Sequence, residues 1–353
     1  MNEQWKQYLE SQGAILTTDG EHVAHFGQLP EELSAMASGN IITPITDMAY
    51  IHATGDEAKS FLQGQLTNDI GLITPQLSQL SAYCNPKGRL LALFRITQHS
   101  DGYRLHLPGC LLEKTLKRLK MFVLMAKVTL EPSSPESVRI GVAGSDVIAP
   151  LKQHFKGLPD DENGVSEDNG ITIIRHPGNL PRFELIGDQN SIQTLWNALS
   201  PGLTTVGSGA WQLLEINAAQ PQVVAETVEM FIPQMLNLHV INGVNFKKGC
   251  YPGQEVVARL HYRGKLKRHM HIAQFQADTC PAPGAPLYPA SGDSEAQSVG
   301  NVVLAQPISS DEYRALCVIA NDFTVENGVC LQLDTKTALE LHDLPYAFPP
   351  EKT

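Results

Sequence analysis

A short segment near position 250 carries the residues of this sequence that are best suited to chemistry. Cys250 stands in the run KKGCYPGQE, between Gly249 and Gly253, with two lysines just before it. Neighbouring cations favour the thiolate form of a cysteine, which is its nucleophilic and metal-binding form. A plainer interpretation is that Cys250 is a small side chain in a crowded turn. No histidine or aspartate has the spacing that would make it a partner of Cys250, so the sequence argues against a Cys–His protease.

The segment 242–268 is basic, in a sequence that is otherwise acidic. It contains seven lysines and arginines and one acidic residue, Glu255. The whole chain has 26 Lys and Arg against 37 Asp and Glu, a net charge of −11. Because such a charge repels nucleic acid, contact with RNA would have to come from a local patch such as this one. The patch indicates either a surface that binds anions or a solvated loop face.

The 353 residues have the composition of a globular protein. Hydrophobic residues make up 42% and charged residues 18%, which excludes a disordered or collagen-like chain. The six cysteines form no C-x-x-C pair, so the sequence predicts reduced thiols and no stable metal site. The polar start lacks the pattern of a signal peptide, and no apolar run reaches the roughly 18 residues of a membrane span. We therefore expect a cytoplasmic protein with no membrane partner.

Three blocks of secondary structure must position these residues. Residues 1–40 are weakly periodic and are expected to be a peripheral extension. Two strand–strand–helix runs follow, and the first includes a predicted strand over 41–51, a helix over 56–65 and a hairpin turn over 85–88. After about residue 268, short strands alternate with turn-forming residues, a pattern typical of a small β-barrel. The order predicts an α+β protein with two related α/β subdomains and a C-terminal β-barrel.

The run KKGCYPGQEVVAR, preceded by FIPQMLNL, resembles the signature of the YgfZ family of folate-binding proteins. Two further segments, GDEAKSFLQGQLTND and CNPKGRLLALFRI, resemble the first helix and the Lys-Gly hairpin of that family. The family shares its fold with the T-protein of glycine cleavage, an aminomethyltransferase that uses tetrahydrofolate. The resemblance therefore implies an N-terminal extension (1–40), a folate-binding domain of two α/β subdomains (41–265) and a C-terminal β-barrel (266–345).

The resemblance also implies a function. It is that of a folate-binding accessory protein, with tetrahydrofolate or a one-carbon derivative as its cofactor. Its partners would be iron–sulfur enzymes that modify tRNA by methylthiolation. The T-protein branch carries an Asp pair that supports methylene transfer, but the aligned residues here are Ala92 and Leu93, which cannot accept a proton. This departure argues against an enzyme, while a tetrahydrofolate-dependent aminomethyltransferase and a module that binds tRNA directly stay open as alternatives.

A folate site follows from the resemblance as well. It places Trp211 and Met48 beside the ligand, because an indole face can stack on a pterin ring and a methionine can pack against it. Asn217 stands where related enzymes carry the glutamate that holds the pterin, and an Asn side chain offers only one acceptor oxygen. Glu215, two residues earlier, is expected to point to the opposite side of the helix.

In the signature loop, the resemblance makes Cys250 the most important side chain, as a nucleophile, a redox group or a transient cluster ligand. The nearby cations are expected to favour its thiolate or to hold an anion such as the glutamate tail of folate; they are Lys247, Lys248 and Arg259. Tyr251 also belongs to the loop. Two glycines, Gly249 and Gly253, are expected to shape it, and Gln254 and Glu255 are expected to fix it by hydrogen bonds.

Overall fold

A computed structural model describes residues 1–291, 296–324, 328–332 and 337–348, without the side chains of residues 37 and 38. Eight α-helices lie in these residues: α1 (Glu3–Ser11), α2 (Leu29–Ser38), α3 (Ala58–Gln65), α4 (Leu112–Lys120), α5 (Ile148–His154), α6 (Gln189–Leu199), α7 (Gly209–Asn217) and α8 (Gln254–Arg263). Nineteen strands accompany them in the same described ranges: β1 (Ile15–Leu16), β2 (Val23–His25), β3 (Ile41–Pro44), β4 (Met48–Thr54), β5 (Gln79–Cys84), β6 (Leu90–His99), β7 (Gly102–Pro108), β8 (Thr129–Pro132), β9 (Ser137–Ala143), β10 (Val165–Asp168), β11 (Ile171–Arg175), β12 (Arg182–Asp188), β13 (Thr204–Thr205), β14 (Arg268–Gln276), β15 (Pro286–Pro289), β16 (Gly300–Pro307), β17 (Glu312–Ala320), β18 (Val329–Cys330) and β19 (Glu340–His342).

The strands form three larger sheets and one short hairpin of β1 and β2. The first sheet is antiparallel and has the order β5-β6-β7-β4-β8. The second has the order β10-β11-β12-β9-β3-β13 and is parallel only where β13 meets β3. The third, β18-β15-β16-β17-β14-β19, curls into a half-barrel at the C-terminal end. Two α/β units and a C-terminal half-barrel confirm the predicted fold class.

The strand predicted over 41–51 is in fact two strands that belong to different sheets. β3 pairs with β9 in the second sheet, and β4 pairs with β7 in the first. β3 ends at Pro44, whose nitrogen has no hydrogen to donate to a continuing ladder. The prediction of one strand was therefore wrong. The sequence hides the break because the apolar pattern continues through it, where Ile45 is also buried. The link carries Met48 into the space between the two sheets.

The first forty residues contribute to a core, in contrast to the peripheral extension expected from the sequence. Trp5 and Leu9 lie four residues apart on one face of α1, and both are buried. Trp5 packs edge-on against Trp196 of α6, with ring centroids 6.3 Å apart. Both tryptophans belong to the hydrophobic cluster that also contains Phe183 of β12. The N-terminal helix therefore completes the core that covers the second sheet.

A second hydrophobic cluster runs from the first sheet into the C-terminal half-barrel. It contains Phe94 of β6, Leu316 of β17 and Val257 of α8, all three fully buried. Because α8 follows the signature loop directly, the burial of Val257 fixes one end of that loop. Among the described helices, none has both the length and the apolar character that crossing a bilayer requires.

Candidate folate site and signature loop

Trp211 and Met48 line the same small cavity between the first two sheets. Their side chains therefore lie close together, as two residues of one ligand site would have to. This inner cavity has a volume of about 50 Å³ and also touches His176, Glu184 and Glu215. Trp211 is 3% exposed and lies against Gly141 of β9, where an added Cβ would stand 2.4 Å from the indole ring. The ring therefore rests directly on the strand backbone.

Glu215 faces the inner cavity, and the expectation that it points away was wrong. It follows Trp211 by four residues on α7, which places both side chains on the same helix face. Asn217 faces elsewhere: its Oδ1 accepts a hydrogen bond from Arg314 Nη1 at 2.9 Å, and it lines a neighbouring cavity of about 370 Å³. The carboxylate beside Trp211 is therefore that of Glu215, and Asn217 is separated from Trp211 and Met48.

A buried arginine and a buried histidine lie against Glu215. His176 Nδ1 and Arg182 Nη1 each lie 3.2 Å from Glu215 Oε1. The guanidinium of Arg182 also lies over the Trp211 ring, 5.4 Å from the centroid. Burial alone would raise the pKa of Glu215, but the charge of Arg182 and the hydrogen bond from His176 outweigh it and lower this pKa to about 2. Glu215 is thus an ionised carboxylate whose charge is already neutralised by the protein.

Glu184 holds the other side of the same histidine. Its Oε2 lies 2.9 Å from His176 Nε2, and its Oε1 lies 2.6 Å from Arg139 Nη1. Burial opposes ionisation, yet Arg139 and His176 hold the pKa of Glu184 well below its usual range. A carboxylate oxygen lies near each ring nitrogen of His176: Glu184 Oε2 is hydrogen-bonded to Nε2, and Glu215 Oε1 lies 3.2 Å from Nδ1. The result is a chain of paired polar and charged side chains, from Arg139 through Glu184, His176 and Glu215 to Arg182, that joins β9, β12 and α7.

The network continues into the first sheet through His106. Arg139 Nη2 lies 3.0 Å from His106 Nδ1, and His106 Nε2 lies 3.0 Å from Thr97 Oγ1. Because a guanidinium can only donate, His106 Nδ1 accepts and its proton sits on Nε2. Burial and the charge of Arg139 hold the pKa of His106 well below 6.5. His106 is therefore a neutral, fixed link between the sheets.

The two residues that the resemblance aligns with the transferase Asp pair are both apolar and buried. Ala92 is fully buried on β6, and Leu93, also buried, lines the inner cavity. Neither side chain supplies a proton acceptor, and the carboxylates that do reach this cavity are already paired with cations.

A much larger outer cleft adjoins the inner cavity. Its volume is about 820 Å³, and Leu80 and Gln220 line both spaces. Amides and one cation provide much of its polar lining: Asn68, Asn163, Asn242, Asn245 and Lys247. The side chain of Gln220 is buried, its Nε2 donates to Ala218 O at 3.3 Å, and its Oε1 finds no hydrogen-bond partner among the described residues. A buried acceptor without a donor is costly, so this oxygen suits a ligand that brings an N–H group.

Lys248 points into the protein, although the sequence suggested a role beside Cys250 or an anion. Its Nζ donates to the backbone oxygens of Gln63 and Leu66, each at 2.5 Å, where α3 ends. It also lies 5.2 Å from the centre of the buried Tyr251 ring. Burial lowers the pKa of Lys248 to about 8. Lys248 therefore caps the C-terminus of a helix and ties the signature loop to it.

The rest of the signature loop is divided between solvent and the hairpin turn after β5. Gly253 has φ +81°, and a Cβ there would lie 2.4 Å from Asn85 O, so this position requires glycine. Gly249, by contrast, has open space around it. The structure thus brings together two motifs that lie more than 150 residues apart in the sequence.

Four polar or reactive members of the loop and α8 are exposed: Lys247, Cys250, Glu255 and Arg259. Gln254 Nε2 lies 3.5 Å from the carbonyl oxygens of Lys248 and Gly249, which is a weak contact at best. Within the described residues Glu255 makes no side-chain hydrogen bond, so the expectation that it fixes the loop was wrong. Lys247 lines the outer cleft, whereas Cys250 is absent from the described lining.

Comparison with known proteins identifies relatives of this chain by sequence and by structure. No family model matches the chain. The tRNA-modifying protein YgfZ of Yersinia pseudotuberculosis is 32% identical over 318 residues, which cover 90% of this chain and 96% of that protein. The protein of the same name from Pectobacterium carotovorum is 30% identical over 329 residues, covering 92% and 98%.

Among solved structures, the glycine cleavage system aminomethyltransferase T of Bartonella henselae superposes with a TM-score of 0.78. It is 19% identical, and the match covers 97% of this chain and 96% of that one. The structural likeness establishes the fold, and the sequence relatives establish the family. The chain belongs to the YgfZ family of tRNA-modifying proteins.

Proposed function

We propose that this chain is a folate-binding accessory protein that supports iron–sulfur enzymes in the methylthiolation of tRNA. Its relatives are named tRNA-modifying proteins, and its fold is that of an aminomethyltransferase. The iron–sulfur link follows from the resemblance of the signature loop, in which Cys250 is exposed and accessible to a partner. Cys250 would act there as a nucleophile, a redox group or a transient cluster ligand.

The folate would occupy the outer cleft. A cleft of about 820 Å³ lies within the ~300–1,000 Å³ that small-molecule sites usually have. The inner cavity, at about 50 Å³, holds little more than a water molecule or two. Trp211 is also only 3% exposed and already lies against Gly141 and the guanidinium of Arg182. The ring system would therefore lie in the cleft, with its inner end at Gln220.

Gln220 carries this proposal. Its buried Oε1 lacks a donor among the described residues, at the junction of the cleft and the inner cavity. The N–H groups of a pterin ring could supply that donor. At the open part of the same cleft, Lys247 is exposed and has the charge that attracts the carboxylates of a glutamate tail. The two residues thus complement two different groups of a folate, its ring N–H groups and its carboxylates.

Calorimetric titration with tetrahydrofolate and with 5-formyl-tetrahydrofolate tests the proposal. We expect saturable binding to the wild-type protein. Gln220→Leu keeps a similar volume and removes the acceptor, so it should weaken binding about tenfold, as expected for one lost hydrogen bond in a buried site. Asn217→Ala is the matched control, because Asn217 faces the neighbouring cavity and its loss should leave affinity unchanged.

Two results would contradict the proposal. One is the absence of saturable binding of either folate to the wild-type protein. The other is a pattern in which Asn217→Ala weakens binding and Gln220→Leu does not, since the ligand would then lie on the Asn217 side of α7. The transferase alternative has no support from the cavity, because Leu93 lines it with an apolar side chain and Ala92, buried on β6, lies outside its described lining.

A further inference from the structure

An apolar tip, residues 121–125, protrudes directly after α4. Leu124 is 86% exposed and Met125 96%, the two highest values among the large exposed apolar side chains of the described residues. Met121 and Phe122 beside them are 59% and 45% exposed. Single exposed apolar side chains are ordinary, but four within five positions form a contiguous apolar surface that marks an interaction site.

The tip is held in place at both ends. On its N-terminal side, the amides of Met121, Phe122 and Val123 donate to carbonyls of the last turn of α4. On its C-terminal side, the amide of Lys127 donates to Glu57 Oε2 at 2.6 Å. Val123 inside the tip and Val128 just after it pack against the main hydrophobic cluster. The fold therefore presents the exposed side chains outward.

Lysines flank the tip along the chain, in contrast to the overall charge of the protein. Four are exposed on α4 and just after the tip: Lys114, Lys117, Lys120 and Lys127. Between residues 112 and 127 the only acidic residue is Glu113. This local excess of positive charge contrasts with the net charge of −11. An occupant of this surface must therefore combine an apolar interior with negative charge around it.

We propose that the apolar tip and its lysines bind an anionic lipid surface, lying on the membrane without crossing it. RNA supplies the charge but no apolar medium for Leu124 and Met125. A stable protein interface buries about 800 Å² on each partner from roughly 20–30 residues, which is far more than a five-residue tip provides. A bilayer needs only a few apolar side chains below the headgroups with cations at their level. The sequence prediction of no membrane partner rested on the absence of a spanning segment, and this contact is of a different kind.

Sedimentation of the full chain with lipid vesicles tests the proposal. Vesicles of phosphatidylcholine, with and without phosphatidylglycerol, are mixed with the protein at low and high salt. We expect binding to the anionic vesicles that weakens as salt rises. Leu124→Ser/Met125→Ser should lower the affinity about tenfold or more, because two large side chains no longer enter the bilayer. Ile15→Ser/Leu29→Ser removes two apolar side chains, each 48% exposed elsewhere, and should bind as the wild type does.

Two outcomes would overturn the proposal: no binding of the wild-type chain to anionic vesicles, or equal binding by the tip variant. In either case the tip would serve a protein partner or none. Since all four substituted side chains are exposed, thermal unfolding should be nearly the same in the wild type and both variants, and it serves as the check that they are folded.

Discussion

Replacing Glu215 by glutamine tests whether the buried charges stabilise the junction between the sheets. Glu215 is 6% exposed, and its Oε1 lies 3.2 Å from both His176 and Arg182. Glutamine has nearly the same volume, so the change removes the charge without opening a cavity. Arg182 and His176 would then be left buried with one carboxylate fewer.

The magnitude follows from the pKa of Glu215. A value of about 2 in the folded protein, against an ordinary 4.5, corresponds to about 3 kcal/mol of stability at neutral pH. Breaking a buried ion pair from one side typically costs ~3–5 kcal/mol, which agrees. Because the folded pKa is lowered, this stability is fully present above pH 4.5 and is lost as the pH falls towards 2. The difference between Glu215→Gln and wild type should therefore shrink at acid pH.

Urea unfolding of the wild type and of Glu215→Gln at pH 7 and at pH 3 measures the difference in their free energies of unfolding. Tryptophan fluorescence is the signal, because Arg182 lies over Trp211. Glu167→Gln is the control: Glu167 is 58% exposed and 3.6 Å from His99, so its loss should cost less than about 1 kcal/mol. A loss below about 1 kcal/mol for Glu215→Gln at pH 7 would refute the reasoning. So would a loss that stays the same at both pH values.

Two further predictions concern the signature loop. Gly253→Ala should destabilise the protein by at least about 2 kcal/mol in thermal or urea unfolding, because it combines a left-handed φ with a Cβ 2.4 Å from Asn85 O. Gly249→Ala is the control: this position lies in open space, so the free energy of unfolding should change by less than about 0.5 kcal/mol. Equal effects of the two substitutions would contradict this account. Cys250→Ala should fold as the wild type does, since Cys250 is exposed, yet fail to restore tRNA methylthiolation in a strain that lacks the protein. Full restoration would remove Cys250 from the function, and Cys110→Ala, another exposed cysteine, is the matched control.

The sequence predicted those parts of the site that depend on local patterns or on the family signature. Trp211 and Met48 do lie together, since both line the inner cavity, while their assignment to folate stays a prediction. Glu215 was within reach of the same reasoning, because it follows Trp211 by four residues on a helix and must share its face. A second overlooked signal was RFELIG, in which Arg182 and Glu184 alternate on an otherwise apolar strand and so project from one face. Two charges at buried positions of a strand indicate an internal ion-pair network.

Long-range partners decided what the sequence could not predict. Lys248 stands in a basic, glycine-rich segment, and nothing local separates it from the exposed Lys247. Its direction is set by the free carbonyls at the end of α3, whose residues lie more than 180 positions earlier. Burying an ammonium group is unfavourable unless its hydrogens find acceptors, and Gln63 and Leu66 provide them.

The same reasoning separates two roles within the KKGCYPGQE run. Its buried members, Lys248 and Tyr251, together with Gly253, have contacts that hold the loop to α3 and to the hairpin turn. Two of its exposed members, Lys247 and Cys250, have no such task and remain accessible. A signature of consecutive residues is therefore not a single site: the inward side chains fix the backbone, and this holds the exposed thiol of Cys250 in one defined position.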